Sequence, residues 1–179
     1  MTRLTYLAAV AFGGVLLAGC AQAPDGAAGK GGADDVQVTE AGRATCLSTT
    51  QDQNRQGAEA TNLVRRNAGL APMRPDPLLA RVAADHACDM ARRGRMTHQG
   101  SSTKGPGPRV KAAGYAPSVT AENIAAGPFS LDRVLAEWNG SGGHRANMVI
   151  PQLRDYGLGQ AIGPDGQTRF WAAIYAAPR

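Results

Sequence analysis

The hydrophobic period changes once along this chain, and that change limits the folds open to it. Between Asp76 and Gly94, the residues Leu78, Leu79, Val82, Ala83, His86, Ala87, Met90 and Ala91 recur at helical spacing. Asp76 is placed to cap that helix, Pro77 suits its first turn, and Gly94 its end. From Tyr156 the period drops to two. Tyr156, Leu158, Gln160 and Ile162 alternate with Gly157, Gly159 and Ala161, Gly163-Pro164-Asp165-Gly166 signals a turn, and alternation resumes over residues 169–176. Helices come first and an antiparallel hairpin last, the order of an α+β domain rather than a parallel α/β sheet.

The remaining elements are read the same way. Thr50 and Gln53 form a capping box for a helix from Gln51 to about Ala68, with Ala60, Leu63, Val64 and Ala68 as its apolar stripe. Residues 99–108 are dominated by Ser, Thr, Gly and Pro and read as a surface loop, with a short helix expected over 108–113. Residues 118–126 have no clean period and read as loop or short strand. Ser130 caps a helix carrying Leu131, Val134, Leu135 and Trp138 on one face. Three glycines among Gly140-Ser141-Gly142-Gly143 then predict a tight turn that approaches another part of the chain closely. A short helix over 144–149 follows. Trp138, Trp171, Phe170, Tyr156 and Tyr175 are the expected large core anchors.

With 179 residues the chain suits one domain plus appendages. Arg3 and the apolar run from Leu4 to Leu17 have the form of a signal peptide and are too short to span a bilayer. Leu17-Ala18-Gly19-Cys20 resembles a bacterial lipobox, which assigns residues 1–19 to the signal peptide and makes Cys20 the lipidated residue. Acyl chains there would tie the protein to a membrane without a spanning helix. Residues 20–45 hold few large apolar side chains and read as a disordered tether, so the domain is expected over 46–179. In an exported protein Cys46 and Cys88 are expected to form a disulfide, two separate thiols being the alternative. The net charge of +5 comes almost wholly from scattered arginines with no interleaved aromatics. A solvated basic surface is therefore expected, with no nucleic-acid partner, on a monomer.

Several catalytic patterns fail. Gly140-Ser141-Gly142-Gly143 has Asn139 where a nucleophile elbow needs glycine, and it follows a helix rather than a strand. Residues 157–163 miss the dinucleotide fingerprint by one position. His86 lies on an apolar helix face and reads first as a hydrogen-bonded core histidine, with chemistry held in reserve. What remains is His98, Glu122 and His144, separated by 24 and 22 residues, each in or beside a loop. Two imidazoles and a carboxylate are the minimum for a divalent metal site with an open position, or for acid–base catalysis near neutral pH. Only tertiary structure could bring them together.

The segments around them are distinctive: Met96-Thr97-His98-Gln99-Gly100, Ala121-Glu122-Asn123-Ile124-Ala125, and Trp138 through Asn147. Ahead of them stand Asn62-Leu63-Val64-Arg65-Arg66, Gly69-Leu70-Ala71-Pro72 and His86-Ala87-Cys88-Asp89-Met90-Ala91. Together these closely resemble the CAP superfamily, or SCP domain, which includes cysteine-rich secretory, antigen 5 and pathogenesis-related proteins. The likeness is to its short bacterial branch. It implies a three-layer α–β–α sandwich with a small antiparallel sheet and a cleft where His98, Glu122 and His144 meet. It also implies zinc or another divalent cation on the histidines. Larger members carry a second cleft glutamate, for which this chain offers only Asn139, since Glu137 stands one position before Trp138 and is expected to point elsewhere. Arg145 and Asn147 are expected to brace the corner. The functions implied are an envelope binding domain, a metal-assisted hydrolase with Glu122 as general base, or a lipid- or sterol-binding module. The expected location is the bacterial cell envelope, with an unknown ligand, lipid or protein as partner.

Overall fold

The computed structural model describes residues 35–179. The expected signal peptide, Cys20 and the first part of the expected tether lie outside the described residues. In chain order the elements are β1 (Val36–Gln37), β2 (Thr45–Cys46), α1 (Gln51–Asn67), β3 (Arg74–Pro75), α2 (Pro77–Arg93) and β4 (Arg95–Met96), then α3 (Pro106–Ala112), β5 (Pro117–Gly127), α4 (Leu131–Gly140), α5 (Gly142–Met148), β6 (Asp155–Ile162) and β7 (Arg169–Pro178). The main sheet runs β2-β6-β7-β5, with β3 parallel to the outer edge of β6 and the other pairings antiparallel.

The sheet lies between two helical layers, as an α+β sandwich. Phe170, Ala172, Ile174 and Ala176 of β7 face α2 and α3, while Trp171, Ala173 and Tyr175 face α1, α4 and α5. All five expected aromatic anchors are buried. The two glycines that alternate along β6 set the distance of one layer. A Cβ on Gly157 would overlap the backbone at Leu79 and Ala80, and one on Gly159 the backbone at Ala83 and Ala84. Their lack of side chains lets α2 lie directly on the strand.

The helix ends follow from local chemistry. Thr50 Oγ1 accepts from Gln53 N at 3.1 Å while Gln53 Oε1 accepts from Thr50 N at 3.0 Å, so both halves of the capping box form. Asp76 caps α2 by accepting from Leu79 N at 2.8 Å, and Gly94 ends it at φ 62°. Cys46 and Cys88 are joined in a disulfide with Cα atoms 5.1 Å apart. That bond fastens β2 to the middle of α2.

Four expectations need correction. The buried face of α1 is Asn54, Gly57, Ala58, Thr61, Val64 and Arg65, and Leu63 of the expected stripe is 52% exposed. Polar residues win that face because each finds a partner. Asn54 accepts from Leu158 N at 3.0 Å and donates to the Asp76 carbonyl at 3.2 Å. Arg65, fully buried, donates to the carbonyls of Ala71, Met148, Ile150 and Leu153 at 2.7–3.3 Å.

The expected tether, second, is ordered over residues 35–45. Val36 and Gln37 pair with Met96 and Arg95, and Gly94 O accepts from Val38 N and Thr39 N at 2.8 and 3.0 Å. A Cβ on Gly94 would overlap the Thr39 carbonyl. Backbone hydrogen bonds, with Val38 and Ala44 packed on the α2 layer, hold a segment whose composition carries no such signal.

Third, residues 117–127 form the longest strand of the sheet, β5, paired with β7 along its length. Ala121, Glu122, Asn123 and Ile124 are all buried, so both of its faces are covered and no alternation can appear. Fourth, the glycine stretch is helical. Gly140 closes α4 and Gly142 opens α5, with Ser141 alone between them at φ −94°, ψ 125°. None of Gly140, Gly142 and Gly143 has a positive φ, and a Cβ on any of them would meet nothing within 4 Å. The close approach expected there is absent; it occurs instead at Gly94, Gly157 and Gly159.

Candidate functional site

The site is built on β5, the edge strand of the sheet. Strand geometry turns successive side chains to opposite faces, and β5 uses this to serve both helical layers. Glu122 points toward α2 and α3, and Asn123 toward α4 and α5.

On the first side, Glu122 is 4% exposed and its two oxygens have separate partners. Oε2 lies 2.8 Å from His98 Nδ1, and Oε1 accepts from Arg109 Nη2. Arg109, on α3, also donates through Nη1 to the His98 carbonyl at 2.9 Å. Beneath them, His86 Nε2 donates to the Thr97 carbonyl at 3.0 Å and stands 3.7 Å from Glu122 Oε2. The core-histidine reading of His86 therefore holds, and that histidine also forms the floor of the site. Burial pushes the His86 imidazole down to about 4, against the pull of the Glu122 carboxylate. Burial likewise works against ionisation of Glu122, but the His98 hydrogen bond, His86 and the Arg109 guanidinium outweigh it and hold the carboxyl below its usual range.

On the second side, Asn123 Nδ2 donates to the His144 carbonyl at 3.2 Å and to Tyr175 Oη at 2.9 Å. Asn147 Nδ2 donates to the Glu122 carbonyl at 3.1 Å and to Asn123 Oδ1 at 2.9 Å, and Trp138 Nε1 to the Ile124 carbonyl at 3.3 Å. Asn147 and Trp138 thus occupy carbonyls on the free edge of β5, where another strand would otherwise pair. The bracing role expected of Asn147 is its role here. The His144 ring lies 6.4 Å from that of Trp138, tilted by 54°. Glu137 points away, paired with Arg133 on the exposed side of α4.

The structure therefore joins His98 to Glu122 directly and ties His144 to the same strand through Asn123. Arg109 and His86 complete the first side. The sequence carried no signal for Arg109, which sits between two prolines and a lysine in the short helix expected over 108–113. His86 had its helical position alone.

The fit to a divalent cation is uneven. Among the described residues, no group of three or more His, Cys, Asp or Glu is arranged to hold a metal ion. Glu122 does not fit the part of a ligand, because both oxygens are engaged and one of them faces a guanidinium. It fits the part of a support that orients a ligating histidine through its other ring nitrogen. With Nδ1–H on the carboxylate, the lone pair of a neutral His98 ring falls on Nε2, and the side chain is 36% exposed.

Comparison with known proteins agrees with this architecture. Residues 58–175 match the cysteine-rich secretory protein family, described as CAP. The chain is 30% identical over 112 residues to the uncharacterized protein YkwD of Bacillus subtilis, a match covering 63% of this chain and 44% of YkwD. It thus spans less than half of that relative's length. An outer surface protein of Borrelia burgdorferi superposes with a TM-score of 0.64 at 20% identity, over 77% of this chain and 99% of that one. An extracellular SCP-domain protein of Bacillus anthracis gives 0.60 at 25% identity, over 72% of this chain and 44% of its own.

Proposed function

The chain belongs to the cysteine-rich secretory protein (CAP) family, and from that premise we propose that it is an exported, lipid-anchored binding domain of the bacterial cell envelope. In this reading Cys20 carries the anchor. His98 and His144, on the two flanks of β5, take a divalent cation together with a ligand or partner. The observation that carries the reading is the buried carboxylate of Glu122. Held by Arg109 on one oxygen and set against His98 Nδ1 on the other, it serves to position an imidazole. A bound divalent cation would supply a Lewis-acidic docking point for an oxygen or nitrogen donor of the ligand. Glu122 orients His98, and the Asn123 and Asn147 side chains hold the α5 backbone that presents His144. The location is supported by the leader sequence and by the extracellular Bacillus anthracis relative.

Zinc titration of the full-length protein, beside a His98→Ala, His144→Ala double variant, tests the cation. Tighter binding by the wild type is expected, and equal affinities end this reading.

A metal-assisted hydrolase with Glu122 as general base has less support. A base must reach the proton it abstracts, and Glu122 is buried with both oxygens taken. Activity on peptide or ester substrates that disappears in Glu122→Ala would favour it. A lipid- or sterol-binding module also has less support. A groove of about 610 Å³ lies between residues 46–55 and 75–85, but its lining includes Arg55, Arg81 and Asp85 and none of the three site residues. Lipid retained through native purification would favour that module.

A further inference from the structure

We propose that Arg109 is a positioning residue of this site, holding Glu122 and the His98 backbone in place and through them fixing the orientation and the tautomer of His98. One guanidinium spans two site residues that are far apart in sequence. Nη1 holds the His98 carbonyl at 2.9 Å, and Nη2 holds Glu122 Oε1. The Arg109 side chain is itself largely buried, and the neighbouring Val110, fully buried against the α2 layer, anchors α3 beneath it. On the preceding peptide, between Thr97 and His98, His86 donates to the Thr97 carbonyl at 3.0 Å. His98 thus has its backbone secured on both sides and its ring set against Oε2 at 2.8 Å.

The chemistry follows from the donor inventory. A carboxylate with a guanidinium on one oxygen remains an acceptor, so the ring atom facing its other oxygen must carry the hydrogen. His98 is then the Nδ1–H tautomer, with its lone pair at Nε2. Arg109 also balances the charge of Glu122, so this flank carries an oriented imidazole rather than a net negative field. The guanidinium's planar fork suits this double contact, and a lysine ammonium restores only the charge.

This inference rests on His98 being the ligand-facing imidazole, and its test separates the two ideas. The histidine ring-nitrogen NMR spectrum of the full-length protein is recorded above the imidazole titration range for wild type, R109M and R109K. The expected wild-type spectrum shows His98 protonated at Nδ1 and bare at Nε2. R109M is expected to lose that single tautomer and mix in the Nε2–H form, and R109K to recover it. Zinc affinity in R109M is expected to fall by about 10–100-fold, the usual cost of removing a group behind a ligating histidine. A wild-type tautomer in folded R109M overturns the proposal. Should R109M fail to fold, R109Q, with an uncharged polar head, is read in the same way. If the tautomer follows Arg109 while the wild type binds no zinc, the cation reading fails and the positioning role stands. Zinc binding with an unchanged tautomer across the series means the reverse.

Discussion

Glu122 and Asn123 are neighbours in sequence and serve opposite faces of the same strand. Glu122 gathers His98, Arg109 and His86 on one face, and Asn123 gathers His144, Asn147 and Tyr175 on the other. The site is therefore a strand edge gripped from two sides. Its integrity depends on how firmly each layer is docked and on the charges held within it.

His86 gives the fold an acid-sensitive term. Its folded value lies near 4, below the ordinary imidazole value of 6.5, so the unfolded chain binds the proton first. The unfolded state then holds more protons between those values, and stability falls as pH drops from about 6.5 to about 4. At about 1.36 kcal/mol per pH unit the loss approaches roughly 3 kcal/mol. Urea unfolding across this range checks it, and His86→Gln is expected to flatten the slope in that window.

Glu122 acts at lower pH. Its folded value is depressed, so its stabilisation is present above the ordinary carboxylate value and is lost as pH falls through the folded value. Glu122→Gln is expected to be less stable than wild type at pH 7 and to converge with it in acid. Parallel unfolding curves at both pH values would contradict this.

Arg65 should be among the most costly single side chains to remove. It donates to four carbonyls, one in the loop after α1 and three at the end of α5 and in the loop after it, and those carbonyls would be left buried without a donor. Arg65→Met is expected to cost about 3 kcal/mol or more, and Arg65→Lys to recover little of it, because one ammonium cannot span that arc. The urea midpoint is the measurement. A change under about 1 kcal/mol would mean that other donors replace the guanidinium.

The glycines make a paired prediction. Gly159→Ala drives a methyl into the α2 backbone and should cost about 3 kcal/mol or more. Gly143→Ala meets nothing within 4 Å and lies in a helix, so it should be neutral or stabilising by about 0.5–1 kcal/mol. Guanidinium unfolding of the two variants side by side decides it.

The Cys46–Cys88 bond closes a separation of 42 residues, and its loss should cost about 4 kcal/mol. Comparing the melting temperature with and without reductant, beside Cys46→Ser, is the check. An unchanged melting temperature would mean that β2 and α2 are held by packing alone.

Much of this fold was determined by the sequence acting locally. The capping box at Thr50, the start of α2 at Asp76-Pro77 and its end at Gly94 involve a side chain and its own backbone within a turn, so their residue types suffice. The β6–β7 hairpin likewise carries its turn and its period in sequence. Tertiary structure alone decided the rest. β5 is covered on both faces, which erases the alternation that would mark it, and β1 is held by backbone groups that any residue possesses. The conspicuous glycines around Ser141 turned out to be unconstrained, while Gly157 and Gly159 look ordinary until α2 is laid across them. Arg109 shows the same limit. A guanidinium acquires its part only when α3 brings it between His98 and Glu122, and no local pattern encodes a contact made across layers.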